Sequence, residues 1–359
     1  MRRRAADLRA RREGTRRASL RAMSRAAPGR EIDVRADGRG VTRRTPRRKN
    51  PAVPTPRSLA RIVAGMMLDF PLTHLEKVLY PEQGLRKGEL LAYYAAVAPW
   101  MLPHVAGRPL TLVRCPDGRH RHCFHQKHPK ESVPGAIERV AVDRGEPYMA
   151  VRGVEGLIAA AQLGALELHT WVCHLDDLER PDQLVVDLDP DAAVPFDAVV
   201  RAALEVRERL AAFSLESFVK TTGGKGLHVV APVARRLSWD EHKAFALALA
   251  EAMAHDAPER FTANARKAQR RGRIFVDALR NARGATAVAP YSPRAREGAT
   301  VATPVTWSEL QHGVDPRSFA VARIAERLAT LRSDPWEGYA ACARQSITRK
   351  ARRQLGLAT

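Results

Sequence analysis

Between residues 184 and 277 the apolar pattern changes period in a fixed order, and that order leaves few folds open. Leu184 to Asp189 alternates as a strand, and Phe196 to Phe213 reads as a helix with Pro195 near its first turn. A strand over 215–220, a turn from Thr221 to Gly226 and a strand over 227–231 follow. A second helix opens at the capping box Ser238-Trp239-Asp240-Glu241 and runs to about His255, and a last strand covers Arg273 to Asp277. The sum is β-α-β-β-α-β, an α+β arrangement in which the first strand lies between the third and the fourth.

That placement gives the acids of the first strand their neighbours. Leu184-Val185-Val186-Asp187-Leu188-Asp189-Pro190 carries two aspartates two residues apart, so both point to one face while Val186 and Leu188 point to the core. The ferredoxin-like or RRM-like strand order then sets His228 on one flank and Asp277 on the other. Three carboxylates this close repel one another unless a cation lies between them, which is how a Mg²⁺ or Mn²⁺ site for phosphoryl transfer is built. A lone D-x-D is more often a strand end whose acids meet surface arginines. The lateral neighbours argue for more.

Two further segments carry chemistry. In Lys220-Thr221-Thr222-Gly223-Gly224-Lys225-Gly226-Leu227-His228, the glycines bare backbone N–H groups. The turn can thus cradle a triphosphate with help from the Thr222 hydroxyl and Lys225. It is not a Walker loop, because the G-x-x-x-x-G-K-[ST] spacing is absent and a strand follows. Gly272 to Asn281 supplies Asp277 and Arg280, and Tyr291-Ser292-Pro293-Arg294 adds a second arginine able to hold phosphate.

Upstream, residues 1–58 lack hydrophobic periodicity and end in a proline-punctuated linker, so they read as disordered. The folded body is expected from near Phe70, with a helix over about 89–97, a strand over 110–114, a helix over about 154–163 and a strand over 166–172. On that last strand Glu167, His169 and Trp171 share a face. Cys115, His120, His122, Cys123, His125 and His128 crowd together, but their spacing matches no zinc pattern. Phe124-His125-Gln126-Lys127 suits stacking on a base while gripping its backbone.

The net charge of +21 is unevenly placed: residues 1–50 hold 18 Lys/Arg against 5 Asp/Glu, and the rest 42 against 34. A polyanion is the natural partner, most of all for the tail, although an Arg-rich start also fits a transit peptide or a solvated tail without a role. No apolar run approaches the ~20 residues of a membrane span. Four cysteines without a C-x-x-C pair, and no secretory pattern, imply reduced thiols and a cytoplasmic setting.

Taken in order, D-x-D, then hydroxyl-Gly-Gly-Lys-Gly-x-His, then Asp with Arg resembles the archaeo-eukaryotic primase superfamily. More closely, it resembles the polymerase domain of the bacterial non-homologous end-joining ligase D, over about residues 70–345. Lys77-Val-Leu-Tyr-Pro81, Phe124 to Lys127 and His169-Thr170-Trp171 add to the likeness.

The resemblance implies a primase-polymerase fold with an RRM-like catalytic core and an N-terminal α/β subdomain. Residues 1–68 would be tail and linker, 69–165 the subdomain and 166–345 the core, within a domain ending near 350. It implies a template-directed nucleotidyltransferase that extends primers and fills gaps at broken DNA ends, often with ribonucleotides. Asp187, Asp189 and Asp277 would hold two divalent cations, Mn²⁺ or Mg²⁺. Thr222, Gly223, Gly224, Lys225, His228, Arg280, Arg294 and His169 would serve the incoming NTP or dNTP. Lys77 and Lys87 would meet a 5′-phosphate, and Phe124, Gln126 and Lys127 the DNA. Thr222 stands where family members commonly carry serine, which leaves the hydroxyl in place. No K-x-D-G ligation motif is present, so a separate DNA ligase, and a Ku-type end-binding protein, would be partners. A primase that starts chains unaided is the second enzymatic reading. An RRM-like binding module is the non-enzymatic one, and the acids on the sheet face speak against it.

Overall fold

The computed structural model describes residues 68–142 and 145–358. The basic tail and linker expected over 1–68 lie outside the described residues, apart from Leu68. A hairpin of β1 (Val78–Tyr80) and β2 (Leu85–Arg86) leads into α1 (Lys87–Val105). This helix runs well past the expected 89–97 and through Pro99 and Pro103, because Tyr93, Tyr94, Val97, Trp100, Met101 and Val105 all bury on it. The chain continues through β3 (Leu110–Arg114), β4 (Phe124–Gln126), β5 (Glu138–Val140), β6 (Tyr148–Ala150), α2 (Val154–Gln162) and β7 (Ala165–Thr170).

The pattern read from the sequence then appears: β8 (Gln183–Pro190), α3 (Phe196–Ala212), β9 (Phe218–Thr221), β10 (Leu227–Pro232) and α4 (Trp239–Asp256). A short β11 (Phe261–Thr262) precedes β12 (Ile274–Asp277), and β13 (Ala287–Val288) and β14 (Pro304–Val305) close the strand list. At the start of α4 the Ser238 hydroxyl accepts from Glu241 N–H, and the Glu241 carboxylate accepts from Ser238 N–H at 3.0 Å, the reciprocal cap expected there.

Two large sheets result. One has the order β13-β7-β3-β6-β5, with β4 paired to β3, and the other β11-β12-β8-β10-β9-β14. In the second, β8 lies between β10 and β12, both antiparallel to it. Leu184, Val186 and Leu188 of β8 join Val219, Val229 and Val276 in one apolar cluster with Val206 and Leu210 of α3 and Phe245 and Leu249 of α4. The helices thus cover that face, and Asp187 points to the other. In the first sheet Leu110, Leu112, Leu166 and Leu168 pack with Leu91 and Met101 of α1 and Leu157 and Ile158 of α2. A third cluster joins Trp171 and Ala287 to Val185 and Val230, tying the second faces of the sheets together.

Two expectations change. The division at residue 166 does not follow the sheets, because β7 pairs with β3 and β13 pairs with β7, so the first sheet takes strands from far along the chain. The cysteines are not all free: Cys115 and Cys123 form a disulfide, while Cys173 and Cys342 remain thiols. The reason is register. Arg114 of β3 stands opposite Phe124 of β4, which puts the flanking residues 115 and 123 face to face. No helix among the described residues is long and apolar enough to cross a membrane.

Candidate active site

The face of the second sheet turned away from its helices carries a row of ionisable groups. Asp277 is the register partner of Asp187, Asp187 of His228, and His228 of Lys220. Partners in register project to the same side, so the four side chains stand next to one another across four strands. Asp189 lies one pleat further along β8, half in solvent, opposite Phe275.

Arginines stand between these carboxylates. Arg280 approaches Asp187 at 3.1 Å and Asp277 at 3.4 Å, and Arg270 approaches Asp189 at 2.9 Å while lying on the Phe275 ring at 3.9 Å from its centre. His228 Nε2 is 3.4 Å from Asp187. Burial works against charge on Asp187, but His228 and Arg280 outweigh it and hold the carboxyl well below its ordinary range. Asp277 is raised by burial despite Arg280, and Asp189 is raised by burial and by the negative Asp187. Burial is thus the main reason Asp189 and Asp277 resist ionisation, and the negative Asp187 adds to it at both.

Lys220 is the deepest member of the row. Its amine is buried without a hydrogen-bond partner, and burial, with Arg294 close by, brings its pKa down to about 7. Burial and the neighbouring Lys220 push His228 down to about 4, so the imidazole is neutral at pH 7.

The glycine-rich turn closes on itself. The Thr222 hydroxyl and its N–H both donate to the Gly226 carbonyl at 3.1 Å. Gly223 sits at φ +68°, and a Cβ there would strike Arg294 Cγ; a Cβ on Gly224 would fall 2.7 Å from Arg296 Nη1. The glycines thus admit two arginines against the backbone as well as allowing the turn. Arg294 Nη1 donates to the Thr222 carbonyl, whereas Lys225 is exposed and donates to the Ala192 carbonyl at 2.9 Å. From the first sheet, His169 donates through Nε2 to Glu167 at 2.7 Å, and Arg294 meets the same carboxylate at 3.0 Å.

The residues expected to meet DNA lie on the hairpin, α1 and β4. The Lys87 N–H donates to the Lys77 carbonyl, so the two lysines are neighbours as their spacing suggested. However, Lys77 is paired with Asp117 at 2.6 Å, an acid brought in by the turn after β3. The Lys87 amine is buried and donates to the Thr73 carbonyl at 2.9 Å. Burial, with Lys77 beside it, lowers the Lys87 pKa. Phe124 stacks on His122 at 5.8 Å beneath the Arg114 guanidinium, and Lys127 is exposed. Gln126 is buried, accepting from Arg114 at 2.7 Å and donating to the His128 carbonyl at 2.9 Å, so its amide faces inward.

Sequence reading did not single out Lys220, Glu167, Arg270 or Arg296 as site residues. Lys220 had a signal in its alternation with Thr222 beside the turn, and Arg296 in Arg294-Ala295-Arg296. Glu167 shares a face with His169, but its second partner lies 127 positions away, and Arg270 sits in an irregular basic stretch without period.

An acid-bearing sheet face fronted by a glycine turn and arginines, on this two-sheet scaffold, defines a polymerase-type α/β domain. The structure of the polymerase domain from Mycobacterium tuberculosis ligase D in complex with DNA is similar to it, with a TM-score of 0.70 and 34% identity, covering 76% of this chain and 99% of that one. The family model described as LigD, primase-polymerase domain, matches residues 86–336. The chain belongs to that family. It is 41% identical to the multifunctional non-homologous end joining protein LigD of Pseudomonas aeruginosa over 289 residues, 79% of this chain and 34% of that protein. With the LigD of Mycolicibacterium smegmatis it shares 36% over 244 residues, 67% of this chain and 32% of that protein. The chain spans about a third of the length of these relatives.

Proposed function

We propose that the chain is a template-directed nucleotidyltransferase that extends primers and fills gaps at the ends of broken DNA in non-homologous end joining, taking ribonucleotides as well as deoxyribonucleotides. The observation that carries this reading is the in-register row of Asp277, Asp187 and His228, with Asp189 one pleat on, facing a turn that seats two arginines.

Among the described residues no three His, Cys, Asp or Glu are gathered closely enough to form a metal cage. The donor chemistry nonetheless suits divalent cations. Asp187, Asp189 and Asp277 are hard oxygen donors on one face, and Arg280, Arg270 and His228 stand against them. With Mn²⁺ or Mg²⁺ bound there, the cations would supply activation of the primer 3′-hydroxyl and neutralisation of the leaving pyrophosphate. Arg294, Arg296, Lys225 and the Thr222 segment would hold the triphosphate, with Arg280 near its reacting end. His228, neutral and buried, would donate to phosphate. The RRM-like core serves as the rigid platform that keeps these groups in line.

On the DNA side, Phe124 would stack on a template base, with Lys127 and the Lys77–Lys87 pair on phosphate. A 5′-phosphate would have to displace Asp117 from Lys77. Gln126 acts behind them, holding Arg114. A Ku-type protein and a separate ligase complete the joining reaction on this reading, in the cytoplasm. The test is primer extension on a gapped duplex with a 5′-phosphate, supplying Mg²⁺ or Mn²⁺ and either rNTPs or dNTPs, beside a primer-free template. Templated addition to the primer is expected. Product only from the primer-free template would point to a primase, and no product with either would overturn an enzymatic reading.

A further inference from the structure

Glu167 is a buried carboxylate beside the glycine turn that no step above employs. Its side chain is 8% exposed, accepts from His169 Nε2–H at 2.7 Å and Ala295 N–H at 2.8 Å, and meets the Arg294 guanidinium at 3.0 Å. The Arg294 contact is a close ion pair rather than an aligned hydrogen bond. Burial opposes the charge on Glu167, but His169 and Arg294 hold it down to about 2, so the carboxylate is ionised and can only accept. The proton on His169 must then sit on Nε2, which leaves Nδ1 for another partner.

The position of this carboxylate matters as much as its charge. It projects from β7 of the first sheet, while Arg294 extends from it to the Thr222 carbonyl on the glycine turn of the second. Through Arg294, Glu167 therefore links β7 of the first sheet to the glycine turn of the second, and it holds His169 as well; both side chains are expected to meet the nucleotide. A surface ion pair would contribute little, but a desolvated carboxylate with three charge-assisted contacts fixes geometry.

We propose that Glu167 is a positioning residue of the nucleotide site, setting the tautomer of His169 and the seat of Arg294 on the glycine turn together. This rests on the reading of the glycine turn and its arginines as a nucleotide site. In Glu167→Gln the side-chain oxygen can serve only part of the donor set and the amide N–H₂ opposes the rest, so both partners lose their fixed place. The nucleotide, not the chemical step, should feel the change.

The test measures ATP binding in the presence of Mn²⁺, nucleotide KM and kcat in primer extension, and thermal melting, all on the full chain. Glu167→Gln should weaken ATP binding and raise KM about tenfold, with kcat changed much less and melting kept within a few degrees. The double variant Glu167→Gln/Arg294→Ala should bind ATP no more weakly than Arg294→Ala alone, since both changes disable one unit. If Glu167→Gln does not fold, Glu167→Asp keeps the charge but shortens its reach, and a KM rise is expected there too. Unchanged KM in the folded variant, a loss of melting temperature without a KM effect, or losses that multiply in the double variant would each overturn the positioning role. A wild-type chain that binds no ATP would instead overturn the nucleotide-site reading itself.

Discussion

His228 and Lys220 show how burial changes what a residue type can do. His228 is neutral and buried between Asp187 and Lys220, so on the proposed reading any hydrogen bond it donates to phosphate brings no charge. His228→Ala should raise nucleotide KM to a similar degree for all four bases, because phosphate is common to them. A defect confined to one base in steady-state kinetics would contradict the role. For Lys220 the sign of the pH effect follows from its pKa of about 7, against 10.5 for the ordinary group. Below pH 7 the amine is charged in both folded and unfolded chains, and the cost of burying that charge is fully present. Between 7 and 10.5 the unfolded chain binds more protons, so stability rises with pH, and above that the cost is gone. Lys220→Met should therefore raise the urea midpoint more at pH 6 than at pH 10. An equal shift at both pH values would mean the amine is not paying a charge penalty.

At the scale of elements, the glycine turn is the piece with least freedom. Gly223 combines φ +68° with contact against Arg294, so Gly223→Ala has to strain the backbone and move the arginine. A loss of about 1 kcal/mol in stability from the left-handed conformation is expected. Nucleotide affinity should fall with it, read as Kd beside the denaturation midpoint; a destabilised variant with unchanged Kd would separate Arg294 from the site. The central strands and both flanking helices of the second sheet were legible because alternation and helical spacing are local. Once the strand order was read, so were the neighbours of Asp187. Two- and three-residue strands such as β11, β13 and β14 have no period to detect, and their pairing comes from tertiary contact. The same limit hid the Glu167–Arg294 pair, the acid beside Lys77 and the Cys115–Cys123 disulfide, each set by tertiary contact, and the last by the β3–β4 register.

At the scale of the whole molecule, charge and family membership point to a polyanionic substrate. Residues 1–50 carry 18 Lys/Arg against 5 Asp/Glu, so removing residues 1–58 should keep extension activity but flatten the salt dependence of DNA binding. An unchanged slope of log K against log salt would leave the tail without a part in it. In the folded body the row of aspartates is the feature assigned to the reaction, and the basic tail is the feature assigned to DNA. The central claim is that this row works on the reaction and not on the DNA. Its most direct test is single-turnover addition of one templated nucleotide to a gapped duplex by wild type and Asp187→Ala, with DNA affinity measured in parallel. The account predicts that wild type adds the nucleotide, while the variant loses about a thousandfold or more in rate with DNA affinity within a few fold. Addition by Asp187→Ala at near the wild-type rate would contradict it.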